Sequence, residues 1–215
     1  MDKQQLADET EAYVRSLLEL EGSGHDWWHI YRVKEIAEQL AREEGADPFI
    51  CIMAALLHDL ADEKVAGDEQ KGKKLVERWL QKLQLERKTA ERIMEIIRTL
   101  SYKGGGGAPM RTIEGKVVQD ADRLDAIGAI GIARAFVFSG SRGQIIHHPD
   151  KLPNIHMSAE EYMKRDTTAI NHFYEKLLKL KDLMNTEKGK ELAAGRHRVM
   201  LEYLEVFHRE WEGKA

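Results

Sequence analysis

From residue 47 to residue 61 the chain reads DPFICIMAALLHDLA, and this stretch decides the fold. Asp47 followed by Pro48 is typical of a helix start, because an Asp side chain caps free backbone amides and Pro fits the first turn. From Phe49 to Leu60 the residues are apolar nearly all round a helix, which is typical of a helix buried on every side. We therefore predict a central helix that the rest of the chain surrounds.

The segments on either side of this helix also carry apolar residues at helical spacing. Before it, we predict one helix that stops near Gly22 and a second that Asp26 caps and Gly45 closes. After it, the predicted helices cover about residues 68–83, 88–100, 115–138, 158–184 and 186–211, the third of them broken near Gly128 and Gly131. No alternation typical of a β-strand persists, so the predicted fold class is all-α.

Two segments interrupt the helical pattern. Gly104 to Gly107 are consecutive glycines, which neither a helix nor a strand holds without a large loss of backbone entropy. Residues 139–154 form a second predicted loop, rich in His and Pro. We predict that both segments close over a substrate.

The composition excludes several classes of function. With 37 acidic and 33 basic residues, the chain has a formal net charge of −4 and lacks the positive surface that polymeric DNA or RNA requires. Cys51 is the single cysteine and lies in an apolar run, which favours a buried thiol over a disulfide or a thiolate metal site. We find no signal sequence and no apolar stretch long enough for a bilayer. We expect a cytoplasmic protein without a membrane partner.

His58 and Asp59 are the most informative residues of the central helix. An ionised carboxylate in an apolar helix is costly unless an opposite charge compensates it. A divalent cation does so, and an imidazole beside a carboxylate offers the donors that Mn, Fe, Ni, Co and Zn accept. Because neighbouring helix positions diverge by about 100°, other helices must supply further ligands. The candidates are His29 on the preceding helix and Asp122 in a later apolar helix.

This ordered series of His29, His58-Asp59 and Asp122 resembles the HD superfamily of metal-dependent phosphohydrolases. The stretches GHDWWHIYRV (24–33) and DADRLDAIG (120–128) resemble the bacterial YpgQ/YedJ-like group. The resemblance implies one divalent ion, Mn before Ni, Co, Fe, Mg or Zn, and a nucleoside (deoxy)triphosphate pyrophosphohydrolase that releases a nucleoside monophosphate and pyrophosphate. We expect a single HD-type helical bundle over residues 1–215, with a metal-binding core at about 22–140 and C-terminal helices at about 158–211 packed on it.

Further site residues follow from the resemblance and from charge. In related enzymes an acid three or four places after the His-Asp pair orients the attacking water, so either Asp62 or Glu63 is expected to act as general base. Phosphoryl transfer also depends on positive charge around the transferred group. The residues that can supply such charge or bind the anionic substrate are Lys64, Arg32, Arg123, His147 and His148.

Two other interpretations remain open. A phosphomonoesterase or phosphodiesterase acting on a small phosphorylated metabolite needs the same metal, because the ligands do not encode which P–O bond breaks. The second alternative is a non-catalytic sensor that binds a nucleotide through the metal, although a sensor needs no water-orienting acid. The expected partner is a small phosphorylated molecule in each case, and the last two helices are candidates for a homodimer surface.

Overall fold

A computed structural model describes residues 2–22, 24, 26–61, 68–100, 109–157, 160–161 and 166–214. Within these ranges the regular secondary structure is helical and includes no strand, which confirms the all-α prediction. The α-helices in chain order are α1 (Lys3–Leu18), α2 (Trp27–Glu44), α3 (Pro48–Leu57), α4 (Glu69–Lys82), α5 (Arg87–Thr99), α6 (Ile113–Asp125), α7 (Gly128–Ser141), α8 (Ala169–Glu175) and α9 (Glu187–Trp211). Two 3₁₀ segments cover Asp59–Ala61 and Leu177–Leu183.

The described residues form two compact units, one up to residue 122 and one from residue 123. In the first unit α3 packs against α1, α2 and α5, which confirms that this apolar helix is central. The side chain of Asp47 accepts a hydrogen bond from the Phe49 amide at 3.0 Å, so the predicted cap is present. Cys51 is buried, and burial together with the nearby Glu114 and Asp47 raises the pKa of its thiol to about 12.

Both ends of α2 lie where the sequence predicted them. The side chain of Asp26 accepts a hydrogen bond from the His29 amide at 2.9 Å and caps the helix start. Gly45 ends the helix in the left-handed conformation, with φ of 68°, which a residue without a Cβ adopts at little cost. The first turn of α2 is therefore held in one position, and His29 with it.

In the second unit α8 and α9 each pack against α7 and against the 3₁₀ segment Leu177–Leu183. The prediction of one continuous helix over about 158–184 is wrong. Residues 160–161 are helical, but residues 166–168 are not, and α8 begins at Ala169 and gives way to this 3₁₀ segment. Thr168 has an extended backbone, and its hydroxyl accepts from the Asn171 amide at 3.1 Å. A capped helix start therefore lies where the apolar periodicity alone predicted a helix interior.

The His-rich segment that follows α7 is hydrogen-bonded to α8. The Ala169 amide donates to the Ile145 carbonyl at 3.1 Å, and the Ile170 amide donates to the Ile146 carbonyl at 3.0 Å. The predicted glycine loop of residues 104–107 lies outside the described residues. Closure of either segment over a substrate stays a prediction, and so does a single domain over residues 1–215.

Among the described helices, no individual one is both long enough and apolar enough to cross a membrane. The consecutive helices α6 and α7 satisfy these criteria of length and composition only when taken together, across a bend.

Candidate metal centre

Three buried residues of the first unit, His29, His58 and Asp59, form a possible metal site. Each offers one donor atom, and these atoms lie within 4.8 Å of one another. The two imidazole rings meet edge to face, with centroids 5.4 Å apart. Residues from α2 and from the end of α3 thus converge on one point inside the unit.

The end of α3 differs slightly from the sequence prediction. The helix ends at Leu57 rather than Leu60, His58 is its C-cap, and Asp59 begins a 3₁₀ turn. The two adjacent side chains still reach a common point, since His58 Nε2 lies 3.2 Å from Asp59 Oδ1. The pair flanks this point, and α2 supplies His29, whose Nε2 lies 3.4 Å from Asp59 Oδ2.

Asp122, the fourth predicted ligand, lies in the last turn of α6 beside this cluster. Its Oδ1 lies 3.6 Å from His29 Nε2 and 3.8 Å from His58 Nε2. The Asp122 side chain is 35% exposed, whereas the His29 and Asp59 side chains are 1% and 6% exposed. Solvent therefore reaches the cluster at Asp122.

The orientation of the His58 ring leaves its Nε2 directed at the proposed metal position. Its Nδ1 lies 2.8 Å from the Ala55 carbonyl oxygen, and because a carbonyl only accepts, Nδ1 holds the proton and donates it. In the neutral ring Nε2 then presents a lone pair toward the carboxylates of Asp59 and Asp122. A positive charge at this point stabilises the approach of Nε2 to the two carboxylates, and a divalent cation can contact all three groups at once. A backbone carbonyl bonded to the other ring nitrogen is also the usual arrangement behind a metal-ligating His.

The spacing of the donor atoms fits a divalent ion. Donors about 2.1 Å from a common ion lie about 3.0 Å apart in an octahedral shell and about 3.4 Å apart in a tetrahedral one. The nitrogen to oxygen separations are 3.2 Å for His58 and Asp59, 3.4 Å for His29 and Asp59, and 3.6 Å for His29 and Asp122. The four side chains can therefore accommodate an ion with small movements.

Three other predicted site residues lie outside the described residues, namely Asp62, Glu63 and Lys64. Arg32 is described, and it lies half-buried on α2, three residues after His29. In helical geometry this spacing puts the two side chains on the same face.

Three predicted substrate-binding residues belong to the second unit. Arg123 donates from Nη1 to the Leu183 carbonyl. The ring of His147 meets the rings of Trp211 and Phe207 edge-on, with centroids 4.8 and 5.8 Å apart. His148 is exposed, and its Nδ1 accepts from the Asp150 amide at 3.2 Å. Their role in substrate binding stays a prediction.

The position of His147 predicts an effect of pH on stability. Burial, followed by the nearby His208 and His148, lowers the pKa of His147 below its ordinary value. The unfolded chain then binds this proton more strongly, so the free energy of unfolding decreases as the pH falls below about 6.5. A His147→Gln variant should lose less stability than the wild type between about pH 7.5 and about pH 5.5. Urea denaturation at both pH values measures this, and equal losses in the two proteins would contradict it.

A buried acid at the start of α6, Glu114, was not predicted from the sequence. The Glu114 side chain is 7% exposed, and its Oε1 lies 2.7 Å from an Arg92 guanidinium nitrogen. Helical spacing puts Glu114 on the same face as Val117, Val118 and Ala121, which are fully buried. This spacing is the signal that could have identified it.

Comparisons with known proteins show the family to which the chain belongs. The family model of the HD domain matches residues 27–127. The YpgQ protein of Bacillus subtilis is 38% identical over 209 residues, which are 96% of this chain and 94% of YpgQ. A solved HD-superfamily hydrolase from Bacillus thuringiensis is 44% identical, has a TM-score of 0.77, and is matched over 98% of this chain and 99% of that one. A structure from Lactobacillus plantarum is 40% identical, with a TM-score of 0.89 over 97% of this chain and 98% of its own.

YpgQ has also been solved in complex with ADP, at 39% identity and a TM-score of 0.74, over 97% of this chain and 100% of that one. The helical fold and the buried His and Asp cluster, together with these relatives, define a metal-dependent phosphohydrolase. The chain belongs to the HD-domain superfamily. The resemblance found in the sequence is thereby confirmed.

Proposed function

We propose that this protein hydrolyses nucleotides, as a nucleoside (deoxy)triphosphate pyrophosphohydrolase that releases a nucleoside monophosphate and pyrophosphate. The observation that carries the proposal is a buried donor cluster open to solvent at Asp122, in a chain whose relative YpgQ forms a complex with ADP. ADP contains the nucleoside and two of the three phosphates of such a substrate.

In this proposal His29, His58, Asp59 and Asp122 hold one divalent ion. Two imidazole nitrogens and two carboxylate oxygens suit Mn, Fe, Ni, Co or Zn, and the resemblance to the YpgQ/YedJ-like group favours Mn²⁺ among them. When bound, the ion supplies a Lewis acid that lowers the pKa of water and polarises a phosphoryl oxygen. The buried His29, His58 and Asp59 form the fixed side of the site. The substrate phosphates approach at Asp122, where the cluster is exposed.

The remaining predicted residues act on the substrate and on water. Asp62 or Glu63 orients the attacking water and accepts its proton. Arg32 lies one turn beyond His29 on α2, so a phosphate beside the ion is within reach of its guanidinium group. Lys64, Arg123, His147 and His148 are the other candidates for neutralising the phosphate charge.

Product analysis tests the proposal. Protein reconstituted with Mn²⁺ is incubated with a panel of nucleoside and deoxynucleoside triphosphates, and the expected products are equimolar monophosphate and pyrophosphate. Oxygen-18 from labelled water should enter the monophosphate, because attack at the α-phosphorus forms its new P–O bond. ADP, which cannot release pyrophosphate, is expected to compete with the substrate.

The other outcomes contradict the proposal in distinct ways. Release of orthophosphate would indicate a phosphomonoesterase, and cleavage of a phosphodiester alone would indicate a phosphodiesterase. Nucleotide binding without turnover in Mn²⁺, Co²⁺, Ni²⁺ or Mg²⁺ would indicate a sensor.

A further inference from the structure

The buried carboxylate of Glu114 joins three segments of the first unit. Its Oε1 lies 2.7 Å from Arg92 on α5 and accepts a hydrogen bond from the Asp47 amide, at the N-cap of α3, at 3.4 Å. The thiol of Cys51 lies 4.0 Å from the Glu114 carbonyl. The first turns of α3 and α6 are thus held together by directional contacts.

The two helices that Glu114 connects, α3 and α6, both lead to the candidate metal centre. Eight residues separate Glu114 from Asp122, a rise of about 12 Å, and eleven separate Asp47 from His58, a rise of about 16 Å. At the far ends His58 Nε2 lies 3.8 Å from Asp122 Oδ1. Both helices therefore run in the same direction, from the contacts of Glu114 with Asp47 and Cys51 to the site where His58 and Asp122 meet.

We propose that Glu114 is a positioning residue, which sets the axial position and rotation of α6 against α3 and so holds Asp122 at ligand distance from His58. This inference rests on the proposed metal site. A buried charged group bonded at fixed angles specifies register, whereas apolar side chains permit small slides between helices. Metal sites require ligand distances within about 0.2 Å, a small fraction of the rise of about 1.5 Å per helical residue. A slight shift of α6 therefore weakens coordination by Asp122.

The first test is the affinity of the full-length chain for Mn²⁺, measured by calorimetric titration without substrate. Glu114→Ala is expected to raise the Kd for Mn²⁺ about tenfold or more, as outer residues of metal sites typically do. Glu114→Gln keeps the volume and an acceptor oxygen but lacks the charge that attracts Arg92, so a smaller, severalfold increase is expected. All titrations are made well below the unfolding temperature of each variant, with the folded state checked by circular dichroism.

A matched control separates positioning from general stability. Thr10→Val removes a buried hydrogen bond of the same unit, between Trp79 Nε1 and Thr10 Oγ1 at 3.1 Å. This bond joins α1 and α4, neither of which carries a proposed ligand. Thr10→Val is expected to lower the unfolding temperature and to leave the Kd for Mn²⁺ at the wild-type value. An increase as large as that in Glu114→Ala would overturn the proposal.

A double-mutant cycle tests whether Glu114 acts through Asp122. In an Asp122→Asn background, Glu114→Ala is expected to cause no further change in the Kd for Mn²⁺, and independent losses would overturn the proposal. Wild-type affinity in Glu114→Ala, or in Glu114→Gln should the Ala variant not fold, would overturn it as well. If Asp122→Asn itself bound Mn²⁺ like the wild type, the proposed metal site would fail instead.

Discussion

Replacing Asp59 by Asn is expected to abolish Mn²⁺ binding and to lower kcat/KM by about a thousandfold or more. The Asp59 carboxylate is the buried group that faces both imidazoles, with its oxygens 3.2 Å from His58 Nε2 and 3.4 Å from His29 Nε2. A catalytic metal contributes several kcal/mol of transition-state stabilisation, and about 1.4 kcal/mol corresponds to a tenfold change in rate. Asn has the same size but lacks the negative charge, so the ion is lost while the shape of the site is kept.

The same substitution separates function from stability. In the metal-free protein it removes a buried negative charge, so the free energy of unfolding should be no lower than that of the wild type. The wild type should gain about 2.7 kcal/mol when Mn²⁺ is present at about a hundred times its Kd, because the ion binds only the folded state. Asp59→Asn should gain nothing. Thermal unfolding with and without Mn²⁺ measures both effects, and an equal gain in the two proteins would contradict Asp59 as a ligand.

The candidate ligands were predicted from the sequence on two different grounds. His58 and Asp59 interrupt an apolar helix, and His29 and Asp122 follow the order of a known superfamily. Their relative geometry could not be identified in this way. The 3₁₀ turn at Asp59 and the bond from His58 Nδ1 to the Ala55 carbonyl depend on how α3 ends in the folded chain. Glu114 was not predicted, because it lies about two helical turns before Asp122 and only its place on the buried face of α6 distinguishes it from a surface acid.

The region before Met184 shows the limit of apolar periodicity. Its spacing predicted one amphipathic helix, but Thr168 caps a new helix start, and the Thr167 hydroxyl donates to Glu175 Oε2 at 2.8 Å. Hydroxyl side chains that bond to the backbone compete with a continuous helix, and periodicity does not register them. By contrast, the predicted final helix over about 186–211 is confirmed, since α9 covers Glu187–Trp211 and Thr186 is its N-cap.

The break between α6 and α7 was predicted from Gly128 and Gly131. In the structure, the two positions require glycine for different physical reasons. The break lies at Ala126 and Ile127, just before both of them. Gly128 has a φ of 75°, a left-handed conformation that residues with a Cβ rarely adopt. Gly131 allows a close backbone approach, because a Cβ at this position would overlap the carbonyl group of Ala126. One glycine is therefore required by the backbone angle and the other by space.

Gly131→Ala is accordingly expected to lower the free energy of unfolding by about 3 kcal/mol, at the upper end of the usual cost of overpacking. The neighbour is backbone, which cannot rotate away as a flexible side chain can, so the turn between α6 and α7 has to move. Gly140→Ala is the matched control on the same helix, since a Cβ there meets nothing within 4 Å. It should be neutral or stabilising by about 0.5 kcal/mol, because Ala loses less backbone entropy in a helix than Gly. Urea denaturation of both variants measures the difference, and similar values for the two would indicate that α7 can shift to admit a side chain at Gly131.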